Sequence, residues 1–81
     1  MKVEYGEAVA RSLRAAPVAV RKAFFKQIGF LSHDLHHPSL RAKKYDESDD
    51  RSRARVNDSW RFYFRIVGDT YRILKLIPHP K

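Results

Sequence analysis

The sequence contains no cysteine, so disulfide bonds, cysteine-based zinc sites and thiol catalysis are excluded. It has no apolar run near the roughly 18 residues that suggest a membrane-spanning helix. Neither a glycine-rich phosphate-binding loop nor the Gly-x-Ser-x-Gly turn of many hydrolases is present. Residues 1–5 also lack the apolar stretch of a signal peptide. We therefore expect a cytoplasmic protein without a membrane segment.

Positive charge is what the sequence has in excess. Its 17 Lys and Arg residues outnumber the 9 Asp and Glu residues, which gives a formal net charge of +8 over 81 residues. A small basic domain attracts polyanions, because binding releases counterions from their phosphates. The alternative is a surface that is cationic only for solubility. The composition favours an anionic partner, and the length predicts a single domain, residues 1–81.

Helical patterns occupy the first half of the chain. Residues 7–15 are rich in Ala, Leu and Arg, and Val9 and Leu13 lie four apart on one helical face. Pro17 ends this helix and suits the first turn of the next one. The second helix has one apolar stripe, formed by Val20, Phe24, Ile28, Leu31 and Leu35. The two helices are predicted to form a hairpin that ends before Pro38.

A change of period marks the second half of the chain as a sheet. Residues 39–52 are predicted to be a polar surface connection, because they are too charged for the core. The following segments alternate with a period of two and are predicted strands: residues 53–56, 60–67 and 70–77. Gly68 and Asp69 fit a two-residue hairpin turn. The sequence thus predicts an α+β fold, a helical hairpin packed on a three- to four-stranded antiparallel sheet, with residues 2–5 as the optional fourth strand.

The hairpin turn predicts a register that sorts the strand residues into two faces. In this register Phe62 faces Lys75. The inner face, expected to pack on the helices, carries Trp60, Phe62, Phe64, Ile66, Tyr71, Ile73 and Ile77, with Lys75 as the exception. The outer face carries Arg53, Arg55, Arg61, Tyr63, Arg65, Arg72, Leu74 and Leu76. Since like charges on facing strands repel, this face favours an anionic ligand over an ordinary solvated surface.

Three stretches carry a resemblance to a known family. They run from His37 to Tyr45, from Arg55 to Phe64, and from Gly68 to His79. Over nearly its whole length the sequence resembles the RelE/ParE superfamily of bacterial type II toxins, and its last stretch is similar to the RelE and HigB side of that group. The resemblance implies a fold like that of microbial RNases and cleavage of mRNA in the ribosomal A site, with no metal or other cofactor. It also implies an antitoxin protein that wraps and blocks the toxin.

The resemblance also implies roles for individual residues. Arg61 matches the arginine of the family's central strand and would bind the scissile phosphate. Lys43 and Lys44 match the basic segment before the sheet, where one of them could bind phosphate or act as a base. His79 falls near the C-terminal catalytic position and is the candidate acid or base. The residues expected to grip mRNA or ribosomal RNA are Arg53, Arg55, Tyr63, Arg65 and Arg72.

Several alternatives stay open at this level. A ParE-type toxin resembles this fold but inhibits DNA gyrase, and an inactive relative would bind RNA without cutting it. For His79 the alternative is an exposed histidine with no catalytic role. His33 and His37, four apart near a helix end, could bind a metal ion. That reading is the weaker one, because the only other candidate ligands nearby are Asp34 and His36.

Overall fold

The chain folds into helices packed against a β-sheet. The structure is a computed structural model that describes residues 1–46, 48 and 50–79. Its elements, in chain order, are β1 (Lys2–Tyr5), α1 (Glu7–Ala15), α2 (Val18–His33), a 3₁₀ turn (Pro38–Leu40), β2 (Lys43–Asp46), β3 (Arg51–Arg55), β4 (Trp60–Val67) and β5 (Thr70–Pro78). The sheet order is β1-β5-β4-β3-β2, with β1 parallel to β5 and the other pairs antiparallel. The predicted α+β fold is confirmed, although the described residues form five strands rather than three or four, and the parallel β1–β5 pair makes the sheet mixed rather than wholly antiparallel.

The second helix ends earlier than its apolar stripe predicts. It ends at His33, and Asp34 has extended backbone angles. The Asp34 carboxylate accepts a hydrogen bond from the His36 backbone N–H at 2.9 Å, so the aspartate stabilises a turn that competes with another turn of helix. Leu35 lies beyond the helix and still packs against the core. The helix therefore ends at His33, well before Pro38.

The prediction of a polar connection over residues 39–52 is wrong for most of that range. Leu40, at the end of the 3₁₀ turn, is fully buried in the core. β2 pairs with β3 at the sheet edge, and β3 begins at Arg51, two residues earlier than predicted. Lysine and aspartate have low strand propensity, which conceals this edge strand in the sequence. Positions 47 and 49 lie outside the described residues.

A β-bulge changes the register of the β4–β5 hairpin. The pairs nearest the turn agree with the prediction. Beyond them Leu74 is an extra residue, so that Phe62 pairs with Leu76 rather than with Lys75. The extra residue reverses the faces of the last part of β5: Leu76 is buried in the core, and Lys75 is exposed. The prediction that Lys75 faces the core was therefore wrong, because the predicted register was shifted by one residue in this part of β5.

The core lies between the helices and the inner face of the sheet. Its most deeply buried large side chains are Val9, Phe24, Leu31, Leu40, Phe62, Phe64 and Leu76. Phe24 of α2 meets Phe62 of β4 edge to face, with ring centroids 5.7 Å apart. Three residues predicted for the core lie elsewhere or only partly inside it. Ile66 is 44% exposed, Ile77 is half-buried on the outer face, and Trp60 is half-buried against the core.

Candidate functional site

A concave pocket on the outer side of the sheet collects cationic side chains. Its volume is ≈ 250 Å³. We call it the arginine pocket, and it is lined by Arg41, Lys43, Arg53, Ala54, Arg55, Arg61 and His79. The fold therefore brings together residues from β2, β3, β4 and the end of β5. Most of them are predicted site residues: Lys43, Arg53, Arg55, Arg61 and His79.

The pairing of neighbouring strands supplies the cations of this pocket. Arg55 lies directly opposite Arg61, and Arg53 lies opposite Tyr63. Residues opposite each other in an antiparallel pair project to the same face, so these side chains share the outer face as the sequence predicts. Lys43 lies opposite Arg53 on the next strand and extends the row. The result is a band of positive charge across three adjacent strands.

The turn between β3 and β4 holds Arg61 in place. Asn57 Oδ1 accepts hydrogen bonds from the backbone N–H groups of Ser59 at 2.8 Å and Trp60 at 2.9 Å. Arg61 Nη1 then donates to Asn57 O at 2.5 Å and to Trp60 O at 2.9 Å. These bonds orient the guanidinium group while it lines the pocket.

A buried glutamine ties α2 to the pocket. Gln27 Nε2 donates to Ser39 O at 3.0 Å and to Arg55 O at 2.8 Å, and its Oε1 accepts from Ser39 Oγ at 3.1 Å. A buried amide needs such partners, because its desolvation is otherwise costly. Gln27 thereby sets the spacing between the 3₁₀ turn and β3 and positions the backbone of Arg55. The sequence does not reveal this role, since a single glutamine on a helix resembles a surface residue.

His79 reaches the pocket from the end of β5. Its backbone N–H donates to Ser59 O at 2.6 Å, which holds it beside the turn that follows β3. Its Nδ1 is buried and has no hydrogen-bond partner within the part of the chain that the structure describes. Desolvation, and then the charges of Arg61 and Arg53, hold the pKa of His79 below its ordinary value of 6.5. At neutral pH the ring is therefore uncharged and able to accept a proton.

Positive charge in the pocket is only partly balanced. Burial is the main cause that lowers the pKa of Arg61. The charges of Arg55, Arg53 and Arg41 lower it further. The charge of Asp58 raises the pKa of Arg61. The Asp58 carboxylate is, however, almost fully exposed and forms an ion pair with Arg55. The excess positive charge attracts phosphate groups, whose oxygens match the fork of a guanidinium group.

Four predicted site residues lie outside the arginine pocket: Lys44, Arg65, Arg72 and Tyr63, the last of which belongs to the neighbouring surface described below. Lys44 points to the opposite side of β2 from Lys43, because side chains alternate along a strand. The Lys44 ammonium forms an ion pair with Asp50. Arg72 Nε lies 3.1 Å from Glu4 Oε1, where β5 pairs with β1. Arg65 lies opposite Arg72 near the hairpin turn. The catalytic role of Lys44 and the RNA contacts of Arg65 and Arg72 stay predictions.

An aromatic surface adjoins the arginine pocket. We call it the tyrosine patch, and it surrounds a hollow of ≈ 300 Å³ lined by Tyr45, Arg51, Tyr63, Lys75 and Ile77. Tyr63, expected to contact RNA, is only 9% exposed. Its ring meets that of Tyr45 edge to face, with centroids 5.0 Å apart. Tyr45 is therefore the ring that faces solvent, and it was missed because β2 was predicted to be a loop.

Arg41 is a further pocket residue that the sequence did not reveal. It follows the 3₁₀ turn with a φ of 46°, in the left-handed region that favours glycine. A non-glycine residue in this conformation costs about 1–3 kcal/mol, and such residues concentrate at functional sites. No spacing pattern marks Arg41, because its place depends on the burial of the adjacent Leu40.

His37, considered above as a metal ligand, has a structural role. Its Nδ1 accepts a hydrogen bond from the Ser39 N–H at 3.2 Å, and its ring stacks on Phe30 with centroids 3.8 Å apart. Among the described residues, no group of three or more His, Asp or Glu side chains is arranged to hold a metal ion. In the same residues, no helix has both the length and the apolar character needed to cross a membrane.

Comparisons with solved structures identify the fold. The chain is similar to a chain of the archaeal RelE–RelB complex from Pyrococcus horikoshii OT3, at 23% identity and a TM-score of 0.79, over 95% of this chain and 92% of that one. It is similar to the YoeB/ParE toxin from Agrobacterium tumefaciens at 10% identity and a TM-score of 0.81, over 99% of this chain and 100% of that one. A chain of the YoeB–YefM toxin-antitoxin complex from Staphylococcus aureus is similar at 8% identity and a TM-score of 0.77, over 99% of this chain and 98% of that one. The chain thus has the fold of the RelE/ParE toxin superfamily. No protein-family model and no curated protein matches it.

Proposed function

We propose that this chain, which has the RelE/ParE fold, is the toxin of a type II toxin–antitoxin pair and cleaves mRNA on the ribosome without a metal ion. The observation that carries the proposal is the arginine pocket, where an uncharged imidazole lies among arginine and lysine side chains. RNA cleavage without a metal needs a base, positive charge around the phosphorus and an acid. The pocket holds a residue suited to each of these tasks.

Four pocket residues divide the chemistry. His79 accepts the proton of the 2′-hydroxyl, whose oxygen forms a bond to the adjacent phosphorus. Arg61, with Arg55 beside it, stabilises the negative charge that develops on the phosphorane oxygens. The bond from phosphorus to the 5′-oxygen breaks, and the Lys43 ammonium donates a proton to that oxygen. The products are a 2′,3′-cyclic phosphate and a 5′-hydroxyl end.

The proposal includes two macromolecular partners. A net charge of +8 supports binding to the ribosome, because ribosomal RNA presents a dense array of phosphates. A protein inhibitor is supported by the RelE–RelB and YoeB–YefM complexes to which the fold is similar. A single-domain protein with this activity works in the cytoplasm, where ribosomes translate.

An in-vitro translation reaction tests the proposed activity. The purified protein is added, and primer extension maps breaks in the message with and without translating ribosomes. We expect breaks that depend on translation, with 5′-hydroxyl ends that polynucleotide kinase labels without prior phosphatase treatment. Arg61→Ala should strongly reduce the breaks, whereas Arg11→Ala, which changes an exposed arginine of α1, should not.

The alternatives are distinguished by adding a DNA gyrase supercoiling reaction and an RNA-binding measurement to this assay. Intact message together with blocked DNA supercoiling would identify a gyrase inhibitor of the ParE type. Intact message with unimpaired supercoiling and retained RNA binding would identify an inactive relative. Breaks with 5′-phosphate ends would reject the proposed chemistry, because cyclisation of the 2′-oxygen leaves no phosphate on the downstream fragment.

A further inference from the structure

The tyrosine patch exposes an aromatic ring that the core does not use. Tyr45 is 54% exposed, whereas Tyr63 beneath it is 9% exposed. The two rings meet edge to face with centroids 5.0 Å apart and an interplanar angle of 82°. The contact with Tyr63 thereby supports the Tyr45 ring while much of the side chain stays accessible. An exposed aromatic ring is a recurrent means of binding a flat ligand.

Two guanidinium groups flank this ring. Arg51 Cζ lies 5.6 Å from the Tyr45 ring centroid and 5.8 Å from that of Tyr63. Arg53 Cζ lies 5.7 Å from the Tyr45 ring centroid. All three distances are within the range of cation–π attraction, so the tyrosine rings and the cations restrain one another. The patch is consequently ordered without an aromatic occupant and loses little conformational entropy when it binds one.

Arg53 connects the tyrosine patch to the arginine pocket, because it lines the pocket and contacts the ring of Tyr45. Lys43, also a pocket residue, precedes Tyr45 by two positions on β2. Two residues of a strand span roughly 6–7 Å, which one nucleotide unit can bridge. A strand whose phosphate lies in the pocket can therefore extend a base over the tyrosine patch.

We propose that the tyrosine patch is a stacking subsite for an unpaired nucleobase next to the phosphate held in the arginine pocket. This inference rests on the proposed function and adds to it the contact that grips the single-stranded substrate. The base lies against the exposed ring of Tyr45. Arg51 and Arg53 contact the π-face of the base or the neighbouring phosphate. Recognition should tolerate different bases, because each of them has a π-face.

The chemistry of the lining favours a nucleotide over a peptide. Arg51 and Lys75 line the hollow together with the two tyrosines, and no carboxylate is among the described residues that line it. An apolar peptide side chain would match the ring but not the positive charge around it. An acidic side chain would match the cations but not the ring. A nucleotide satisfies both requirements, since it carries a flat base and a phosphate on one short unit.

Binding of two labelled oligonucleotides at low ionic strength tests this subsite. One is a single-stranded RNA with 2′-O-methyl groups, which prevent cleavage, and the other has the same backbone with abasic positions. Fluorescence anisotropy of the full chain should show tighter binding of the strand that carries bases. Tyr45→Ala should weaken binding of that strand by roughly 5- to 150-fold, as the loss of one stacked base implies, and leave the abasic strand unchanged.

Two further variants separate stacking from folding. Tyr45→Phe should retain the affinity because the ring is kept, and Tyr45→Leu should lose it although the position stays apolar. Phe25→Ala serves as the matched control, since Phe25 is an aromatic residue of α2 that is 49% exposed and belongs to neither the pocket nor the patch. Circular dichroism confirms that each variant keeps its fold.

The outcomes that overturn the subsite differ from those that overturn the function. Equal affinity of the wild-type chain for both strands would reject stacking, as would an equal loss of affinity for both strands in Tyr45→Ala. Neither result would bear on the proposed function, which the cleavage assay with Arg61→Ala tests separately. Unchanged RNA affinity in Tyr45→Ala, with impaired binding of a protein inhibitor, would assign the patch to a protein contact instead. A wild-type chain that binds neither strand would reject the RNA-binding function and the subsite with it.

Discussion

Arg55 and Arg61 lie directly opposite each other on β3 and β4, and both line the arginine pocket. Two guanidinium groups in this relation repel each other, and the pKa of Arg61 is lowered partly by the charge of Arg55. A bound anion removes that repulsion. The stability of the fold and the occupancy of the pocket are therefore linked.

Inorganic phosphate should consequently stabilise the protein more than chloride does at equal ionic strength. At a phosphate concentration of 100 times its dissociation constant, the gain in the free energy of unfolding is about 2.7 kcal/mol. Thermal unfolding in the two salts measures the difference, and Arg61→Ala should remove most of it. An equal shift in the wild type and in Arg61→Ala would indicate a general effect of phosphate on protein surfaces rather than binding in the pocket.

Arg61→Ala should reduce the rate of mRNA cleavage by about 10²- to 10³-fold, because it removes a donor that stabilises the transition state. Growth inhibition by the expressed protein should fall accordingly. The folded state should persist with a change in unfolding free energy of about 1 kcal/mol, since the lost bonds to Asn57 O and Trp60 O are partly offset by relieved repulsion. Arg11→Ala is the matched control, and a fully toxic Arg61→Ala protein would remove Arg61 from the site.

The pH dependence of cleavage should report the pKa of His79. A base must be uncharged, and the pKa of His79 in the folded chain lies below 6.5. The rate should therefore stay high as the pH falls to 6.5 and decline only below that value. His79→Gln should lower the rate and abolish this acid limb, while Lys22→Ala on the exposed face of α2 should leave it intact. An unchanged acid limb in His79→Gln would assign it to another group.

Protonation of His79 should also reduce stability in acid. An unfolded histidine with a pKa near 6.5 takes up its proton at a higher pH than the folded His79 does. The stabilisation is therefore complete above pH 6.5 and decreases as the pH falls from there through the lowered pKa. Chemical denaturation across this range, compared with His79→Gln, measures the contribution of this residue.

Gln27→Leu should destabilise the fold by about 2–4 kcal/mol, because the carbonyl oxygens of Ser39 and Arg55 lose their buried donor. Urea denaturation measures the change. Lys26→Leu, at the exposed neighbouring position on the same helix, should alter stability by less than about 0.5 kcal/mol. If the two variants had similar stability, the amide would not be what holds the 3₁₀ turn to β3.

The β-bulge predicts different effects for two nearby leucines. Leu76 is 2% exposed, so Leu76→Ala should cost about 2–5 kcal/mol through lost burial and the cavity that remains. Leu74, the extra residue of the bulge, is only half-buried, and Leu74→Ala should cost roughly half as much or less. The register predicted from the sequence places both leucines on the outer face, so similar small losses would favour that register over the observed one.

Most of the architecture can be predicted from local patterns. The bounds of α1 agree with its composition and spacing, and the hairpin turn forms at Gly68, whose φ of 62° suits glycine. Among the features that could not be predicted, two depend on pairing between strands. β2 is an edge strand of polar residues, held by its pairing with β3. The extra residue at Leu74 has no local signal, since a bulge is defined only by the strand opposite it.

The candidate site follows the same division. Arg53, Arg55 and Arg61 could be assigned to one face because the turn at Asn57 keeps the alternation of β3 and β4 in step. Arg41 and Tyr45 could not, because their places depend on a 3₁₀ turn and an edge strand within a segment that resembles a loop. Alternation correctly separates Lys43 from Lys44, but only once β2 is known to be a strand.

The parallel pairing of β1 with β5 has a kinetic consequence. Residues 2–5 meet residues 70–73, so this contact closes a loop that contains almost the whole described chain. Closing so large a loop costs more entropy than forming the β4–β5 hairpin, which joins neighbouring segments. The hairpin should therefore be part of the folding nucleus, with the first segment of the chain docking last. In the native state that short outer strand should be the first to detach, and its amide protons should exchange with solvent well before those of β4.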